Sequence, residues 1–138
     1  MSVLSPHRFD LRVYWEDTDA GGIVYYANYL KFVERARSDM VRQAGLNQNT
    51  LLRQEGIIFA VRRCEVDYLR SAKLDDELTV ITDVLKVGGA SIDMMQTVCR
   101  DDEELVRAKV RVGSVDQSGR PARMPASARD ALGRLQVE

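Results

Sequence analysis

The run Asp17-Thr18-Asp19-Ala20-Gly21-Gly22-Ile23-Val24-Tyr25-Tyr26-Ala27-Asn28-Tyr29 sets carboxylates and glycines immediately ahead of a stretch with helical periodicity. The first N–H groups of a helix have no intrahelical partners, and the helix dipole favours negative charge beside them. Such a turn holds an ionised Asp next to donors that can grip an electron-rich oxygen. Attack on an ester or thioester carbonyl, which passes through an oxyanion, needs that pairing of base or nucleophile with prealigned N–H groups. A plainer reading makes the stretch a tight turn in which Asp17 or Asp19 caps the helix and the glycines serve backbone geometry. A calcium loop is a third reading, since Asp17, Asp19 and Gly22 match an EF-hand in spacing. It fails at Gly21, which offers no side-chain ligand, and at Asn28, where a bidentate Glu is needed, so no metal is expected.

The elements that would position this turn follow from periodicity. Arg8 to Trp15 alternates, with Phe9, Leu11, Val13 and Trp15 on one face of a strand that delivers the chain to Asp17. Asn28 is expected to cap a helix to about Gln43, stopped by Gly45. Tyr29, Leu30, Phe32, Val33, Ala36, Met40, Val41 and Ala44 form its apolar arc. Arg37 intrudes on that arc and must snorkel out or meet a carboxylate or a partner chain. Asn47 to Glu55 reads as a short second helix closed by Gly56.

Period-two patterning follows over Ile57 to Arg70, Leu78 to Leu85, Ser91 to Arg100 and Leu105 to Asp116. In the first of these, Ile58, Ala60, Cys64, Val66 and Tyr68 are expected on one side. In the last, Val106, Ala108, Val110 and Val112 oppose Arg107, Lys109 and Arg111. The short connections at Gly88-Gly89 and Asp101-Asp102-Glu103 suit antiparallel neighbours, and Pro125 opens a C-terminal helix to about Leu135. One strand, one long helix and then four strands predict an α+β domain spanning residues 1–138, with an antiparallel sheet of about five strands over a central helix.

Composition narrows the classes. The chain has 138 residues, 45% hydrophobic and 30% charged, and a net charge of −1, so no global basic field draws it to nucleic acid. It lacks an apolar run of membrane-spanning or signal length, which predicts a cytoplasmic address. Cys64 and Cys99 lack partner spacing and read as reduced core residues. His7 is the sole histidine, which argues against a cysteine–histidine nucleophile and against dehydratase chemistry built on a histidine–carboxylate pair.

Tyr14 to Tyr29, continuing through Phe32-Val33-Glu34-Arg35-Ala36-Arg37, with Val61-Arg62-Arg63 and Val66-Asp67-Tyr68 further on, resembles the 4-hydroxybenzoyl-CoA thioesterase family. The chain is most similar to the branch of acyl-CoA thioesterases associated with the Tol-Pal envelope system. The resemblance implies the hot-dog fold, a curved antiparallel sheet wrapped around one long helix, assembled as homodimers or homotetramers. It implies hydrolysis of an acyl-CoA thioester without a cofactor. The family's catalytic carboxylate falls on Asp19, and Gly22 to Tyr26 becomes the backbone that polarises the thioester carbonyl, with the Tyr26 N–H as donor. Tyr26 stands where the Tol-Pal branch commonly has histidine and the aromatic-CoA branch tyrosine.

With that reading, Asp19, Tyr26 and Gly22 are the catalytic candidates. Val24, Tyr25 and Asn28 are assigned to the substrate at the mouth of the helix. Arg62, Arg63, Lys86 and the Gly88-Gly89 loop are assigned to the CoA phosphates, Arg for its bidentate fork and the loop for its N–H groups. Glu34 and Asp39 on the helix are weaker carboxylate candidates. Acyl carrier protein is an alternative carrier, and a binding module of the same fold with little turnover is the alternative function.

Overall fold

The computed structural model describes residues 6–137. They form one five-stranded antiparallel sheet in the order β1-β3-β4-β5-β2, with strands β1 (His7–Arg12), β2 (Ile58–Tyr68), β3 (Glu77–Val87), β4 (Ser91–Arg100) and β5 (Glu103–Val115). The long helix α1 (Asn28–Gln43) lies against one face of that sheet, α2 (Gln48–Thr50) runs on into a π-helical turn (Leu51–Glu55), and α3 (Ala126–Gly133) follows β5. The α+β layout read from periodicity is the observed one. Gly45 and Gly56 end their helices with φ of +93° and +67°, which only glycine adopts freely.

The core is the meeting of two periodicities. Tyr29, Phe32, Val33, Ala36, Met40 and Val41 come from α1, and Leu78, Val80, Val84, Ile92, Met94, Val98, Val106, Ala108, Val110 and Val112 from alternate positions of β3 to β5. Each fully buried large side chain contributes about 1.5–3 kcal/mol. Arg107, Lys109 and Arg111 face outward as expected. Polar groups sit under the helix as well: Gln96, fully buried, donates to the Val33 carbonyl (2.8 Å) and to the Oγ1 of buried Thr82 (3.0 Å). Its Oε1 accepts from Arg37 Nη1 at 3.0 Å. Arg37 therefore neither snorkels free nor pairs with a carboxylate; it lies half-buried against a neutral amide, and desolvation lowers its pKa.

Five local expectations are corrected. β1 stops at Arg12, and Trp15 opens a 3-10 turn (Trp15–Asp17), leaving its indole 83% exposed and off the inner face. The N-cap of α1 is Ala27, because the Asn28 side chain is turned back onto the Asp17 carbonyl. Leu30, expected on the apolar arc, is exposed. A bulge between Val61 and Arg63 shifts the register of β2, so Phe59 and Val61, and not Ile58 and Ala60, share the helix-facing side with Val66 and Tyr68. Cys99 is buried as expected, but Cys64 is exposed, because β2 is an edge strand with few neighbours over it.

Candidate active site

Asp17 and Asp19 are two residues apart and do different work. Asp17 is buried; its Oδ2 accepts the Tyr14 N–H (2.8 Å), and its carbonyl accepts the Tyr25 N–H and Asn28 Nδ2, both at 2.9 Å. This carboxylate is buried within the turn. Asp19 is exposed, and one of its oxygens, Oδ1, accepts the Gly21 N–H at 2.8 Å. Its Oδ2 has no partner among the described residues. The backbone around it is closed: the Asp19 N–H donates to the Ile23 carbonyl (2.9 Å) and the Gly22 N–H to the Asp19 carbonyl (3.1 Å). Gly22 has φ +80°, which the turn reserves for glycine, and a Cβ on Gly21 would stand 3.2 Å from Asp19 Oδ1, a tight contact that would press on the carboxylate.

Asp19 opens on a cavity of about 270 Å³. Ile23, Val24 and Tyr26 line it from the turn, Tyr29 from α1, and Tyr68, Leu69, Arg70 and Ser71 from the end of β2. Three tyrosines form one side of it: Tyr68 meets Tyr26 edge-on at 5.9 Å between ring centres and Tyr29 at 5.9 Å with a 57° tilt. Burial raises the pKa of both Tyr29 and Tyr68, so the phenols are neutral hydrogen-bonding groups at ordinary pH. The Tyr29 hydroxyl accepts the Ala72 N–H at 2.9 Å, and the Val24 N–H donates to the Ala72 carbonyl at 2.9 Å. The far wall is thereby tied to both the helix and the turn. The Tyr26 N–H, at the mouth of α1, donates to no acceptor among the described residues. Asp19, with one unbonded carboxylate oxygen, and Tyr26, with an unbonded amide, thus line one cavity.

The other expected residues divide. Val24 lines the cavity, whereas Tyr25 packs on Tyr26 (5.0 Å between ring centres) outside its lining. The side chain of Asn28 is engaged by Asp17, and the N–H of Gly22 by Asp19. These two build the turn: Gly22 spends its N–H there, and Asn28 spends one of its two Nδ2 hydrogens.

Arg62, Arg63, Lys86, Gly88 and Gly89 are not brought to Asp19 within one chain. The turn carrying Asp19 is bonded near the Glu77 end of β3, through Val24 to Ala72 and Val13 to Asp76. The Gly88-Gly89 turn follows Val87 at the other end of that strand, roughly 33 Å away. Arg62 lies at the β2 bulge with its stem over Gly113, and Arg63 pairs with Glu65. Lys86 faces Asp93 across the ladder, and Gly89 is covered by the Arg123 guanidinium. The cation that does reach the cavity is Arg70, whose Nη1 donates to Glu103 Oε2 at 2.6 Å.

Glu34 is exposed, and Asp39 is engaged by His7 Nε2 (2.8 Å) and Gln43 Nε2 (2.9 Å). The buried His7 thus ties β1 to α1, and neither it nor Asp39 lines the Asp19 cavity. Sequence reasoning missed Tyr29, Tyr68, Leu69, Arg70 and Ser71 as lining residues. The available signal was the continuation of β2 past Tyr68 with an apolar and then a cationic residue, which becomes informative only once the end of β2 is known to face the start of α1.

A family profile for the thioesterase-like superfamily matches residues 13–132. The chain is 47% identical over 108 residues to the acyl-CoA thioesterase YbgC of Haemophilus influenzae, covering 78% of this chain and 79% of that one. It is 41% identical over 110 residues to the acyl-CoA thioester hydrolase YbgC of Escherichia coli O157:H7, covering 79% and 81% of the two chains. The crystal structure of a probable thioesterase from Bartonella henselae superposes with a TM-score of 0.82 at 39% identity, covering 86% of this chain and 98% of that one. The sheet-and-helix architecture, the hot-dog fold, is shared with that structure.

Proposed function

The chain belongs to the thioesterase-like superfamily, and from that premise we propose that it hydrolyses an acyl-CoA thioester to free acid and CoA. Asp19 acts as base or nucleophile, and the Tyr26 N–H polarises the carbonyl. The observation that carries the reading is the pairing, at one cavity, of an unbonded Asp19 oxygen with an unbonded amide at the start of α1. On the base route, Asp19 takes a proton from water as its oxygen adds to the thioester carbon. The oxyanion rests on the Tyr26 N–H, the C–S bond breaks, and CoA leaves as a thiolate that recovers the proton. On the nucleophilic route, the carboxylate adds to the carbon and expels CoA thiolate. Water then hydrolyses the mixed anhydride.

Asp19→Asn keeps the turn's acceptor and removes the charge. On a panel of acyl-CoA substrates, kcat should fall by about 10²–10⁴ with folding intact. Retained turnover would remove this mechanism, and a wild type that binds the panel without hydrolysing it would favour the rival, a binding module for acyl-CoA or acyl carrier protein.

A homodimer or homotetramer completes the proposal. Edge strand β2 has no neighbour on its outer side among the described residues, and Ile58, Val61 and Tyr68 on it are 40%, 49% and 45% exposed. An open, partly apolar edge is a template for pairing. Antiparallel pairing of two β2 strands would bring the second copy's Gly88-Gly89 turn to the end of the joined sheet where Asp19 lies, with its Arg62 and Arg63 near the middle of the joined strands, on the side from which CoA phosphates would approach. No helix among the described residues is long and apolar enough to cross a membrane, in keeping with the cytoplasmic location we assign.

A further inference from the structure

We propose that Arg100 is a positioning residue for this reaction: it clamps the irregular segment 69–76, whose first half is the wall opposite Asp19, against the β4–β5 hairpin. This rests on the hydrolase reading of the Asp19 cavity. Residues 69–76 contribute no strand or helix; backbone bonds tie Leu69 and Arg70 to the Leu105 carbonyl, Ala72 to Val24 and Asp75 to Val13, and side chains add the remaining ties. The guanidinium of Arg100, at the end of β4, does so at several points. Its Nη1 donates to Asp76 Oδ2 (2.8 Å) and to the Ser71 carbonyl (3.3 Å), and its Nη2 donates to Glu103 Oε1. Glu103 in turn holds Arg70 through its other oxygen, and Asp76 Oδ2 also accepts the Lys73 N–H at 2.8 Å. Ser71, Asp76 and, through Glu103, Arg70 are thereby referred to one planar cation.

The wall so held makes its functional contacts between these anchor points. Leu69, Arg70 and Ser71 line the cavity, and Ala72 bonds both the Tyr29 hydroxyl and the Val24 N–H. Arg100 touches none of the cavity lining by side chain except through these ties, so its loss should loosen substrate binding more than it slows the bond-breaking step. A Lys cannot substitute, because one ammonium on a flexible stem does not span two carboxylates and a carbonyl as a fork does.

The test compares wild type, Arg100→Lys, Arg100→Gln and Glu103→Gln by acyl-CoA kinetics, by thermal unfolding, and by calorimetric binding of S-butyl-CoA and S-benzyl-CoA, thioethers with no scissile carbonyl. Arg100→Gln should raise KM and the thioether Kd by about tenfold while kcat stays within about threefold. Arg100→Lys should resemble Gln more than wild type. Glu103→Gln, which leaves the Asp76 pair intact, should shift the same constants by about threefold and stands in if the Arg100 variants do not fold. Unchanged Kd and KM in Arg100→Gln, with only a lower melting temperature, would overturn the inference while leaving hydrolysis standing. A wild type that binds the thioethers but cleaves no acyl-CoA would overturn the hydrolase reading instead, and the Kd comparison would still decide whether Arg100 holds the wall.

Discussion

Two Gly-Gly turns in this chain share a dipeptide and little else. Around Gly88-Gly89 the turn is tied into the fold: the Gly88 N–H donates to the Ser91 carbonyl (2.8 Å), the Gly89 carbonyl accepts the Met124 N–H (2.8 Å), and the Arg123 guanidinium lies over Gly89. Around Gly21-Gly22 the backbone is equally engaged, yet the turn leaves one Asp19 oxygen and the Tyr26 N–H unspent at the edge of a cavity. Glycine content marks a turn; chemistry belongs to the turn that keeps a charge and a donor in reserve. Asp17 sharpens the point: its carboxylate is buried and accepts the Tyr14 N–H, whereas that of Asp19 is exposed at the cavity.

The comparison breaks most visibly at Asp19. Asp19→Asn should cost about 10²–10⁴ in kcat with a melting temperature close to wild type, whereas Asp17→Asn should cost about 1 kcal/mol of stability through the lost charged acceptor for Tyr14, read by urea unfolding. If the two variants exchanged phenotypes, the roles assigned to the two carboxylates would be reversed. Gly22→Ala should destabilise by about 1 kcal/mol or more, because φ +80° strains any residue with a Cβ. It should also depress turnover by moving Asp19.

A smaller effect follows from Asp76, which anchors the wall of the first turn. Burial pushes its carboxyl up, but the Lys73 amide and the Arg100 guanidinium more than offset this and hold it below the usual carboxylate value. A lowered folded pKa contributes stability that is complete above the ordinary value of about 3.9 and is lost as pH falls through the folded value. Urea midpoints measured from pH 7 downward should therefore converge for wild type and Arg100→Gln in acid, and a gap that stayed constant would deny the linkage. The smallest change is expected at the second turn: Gly88→Ala places a Cβ 3.4 Å from Ser91 Oγ, an ordinary contact, and should shift stability by less than about 0.5 kcal/mol with kcat unaltered.

Much of this was legible in the residues. The apolar repeat of α1 from Tyr29 to Val41, the alternation through β3, β4 and β5, and the stops at Gly45 and Gly56 all follow from local geometry. So did the carboxylate-rich turn ahead of α1. What failed was long-range. Asn28 reads as a cap until the Asp17 carbonyl is seen to claim its amide, and Trp15 reads as a core residue until the 3-10 turn rotates it outward. Arg62 interrupts an apolar face because a bulge stands there, and a bulge leaves no periodic signal of its own. The cations assigned to phosphates were chosen by type, with no means of knowing which end of the sheet each would occupy.

The sequence by itself determined the elements, their inward faces and the turn in which a reactive carboxylate could stand, because side-chain period and the steric freedom of glycine act over a few residues. Only the tertiary structure decided which of two carboxylates is exposed at the cavity, that Tyr68, Leu69, Arg70 and Ser71 line it with Asp19, and that Arg100 reaches the Ser71 carbonyl and Asp76. Those facts depend on strand order and register, which join residues tens of positions apart through contacts that no local pattern encodes.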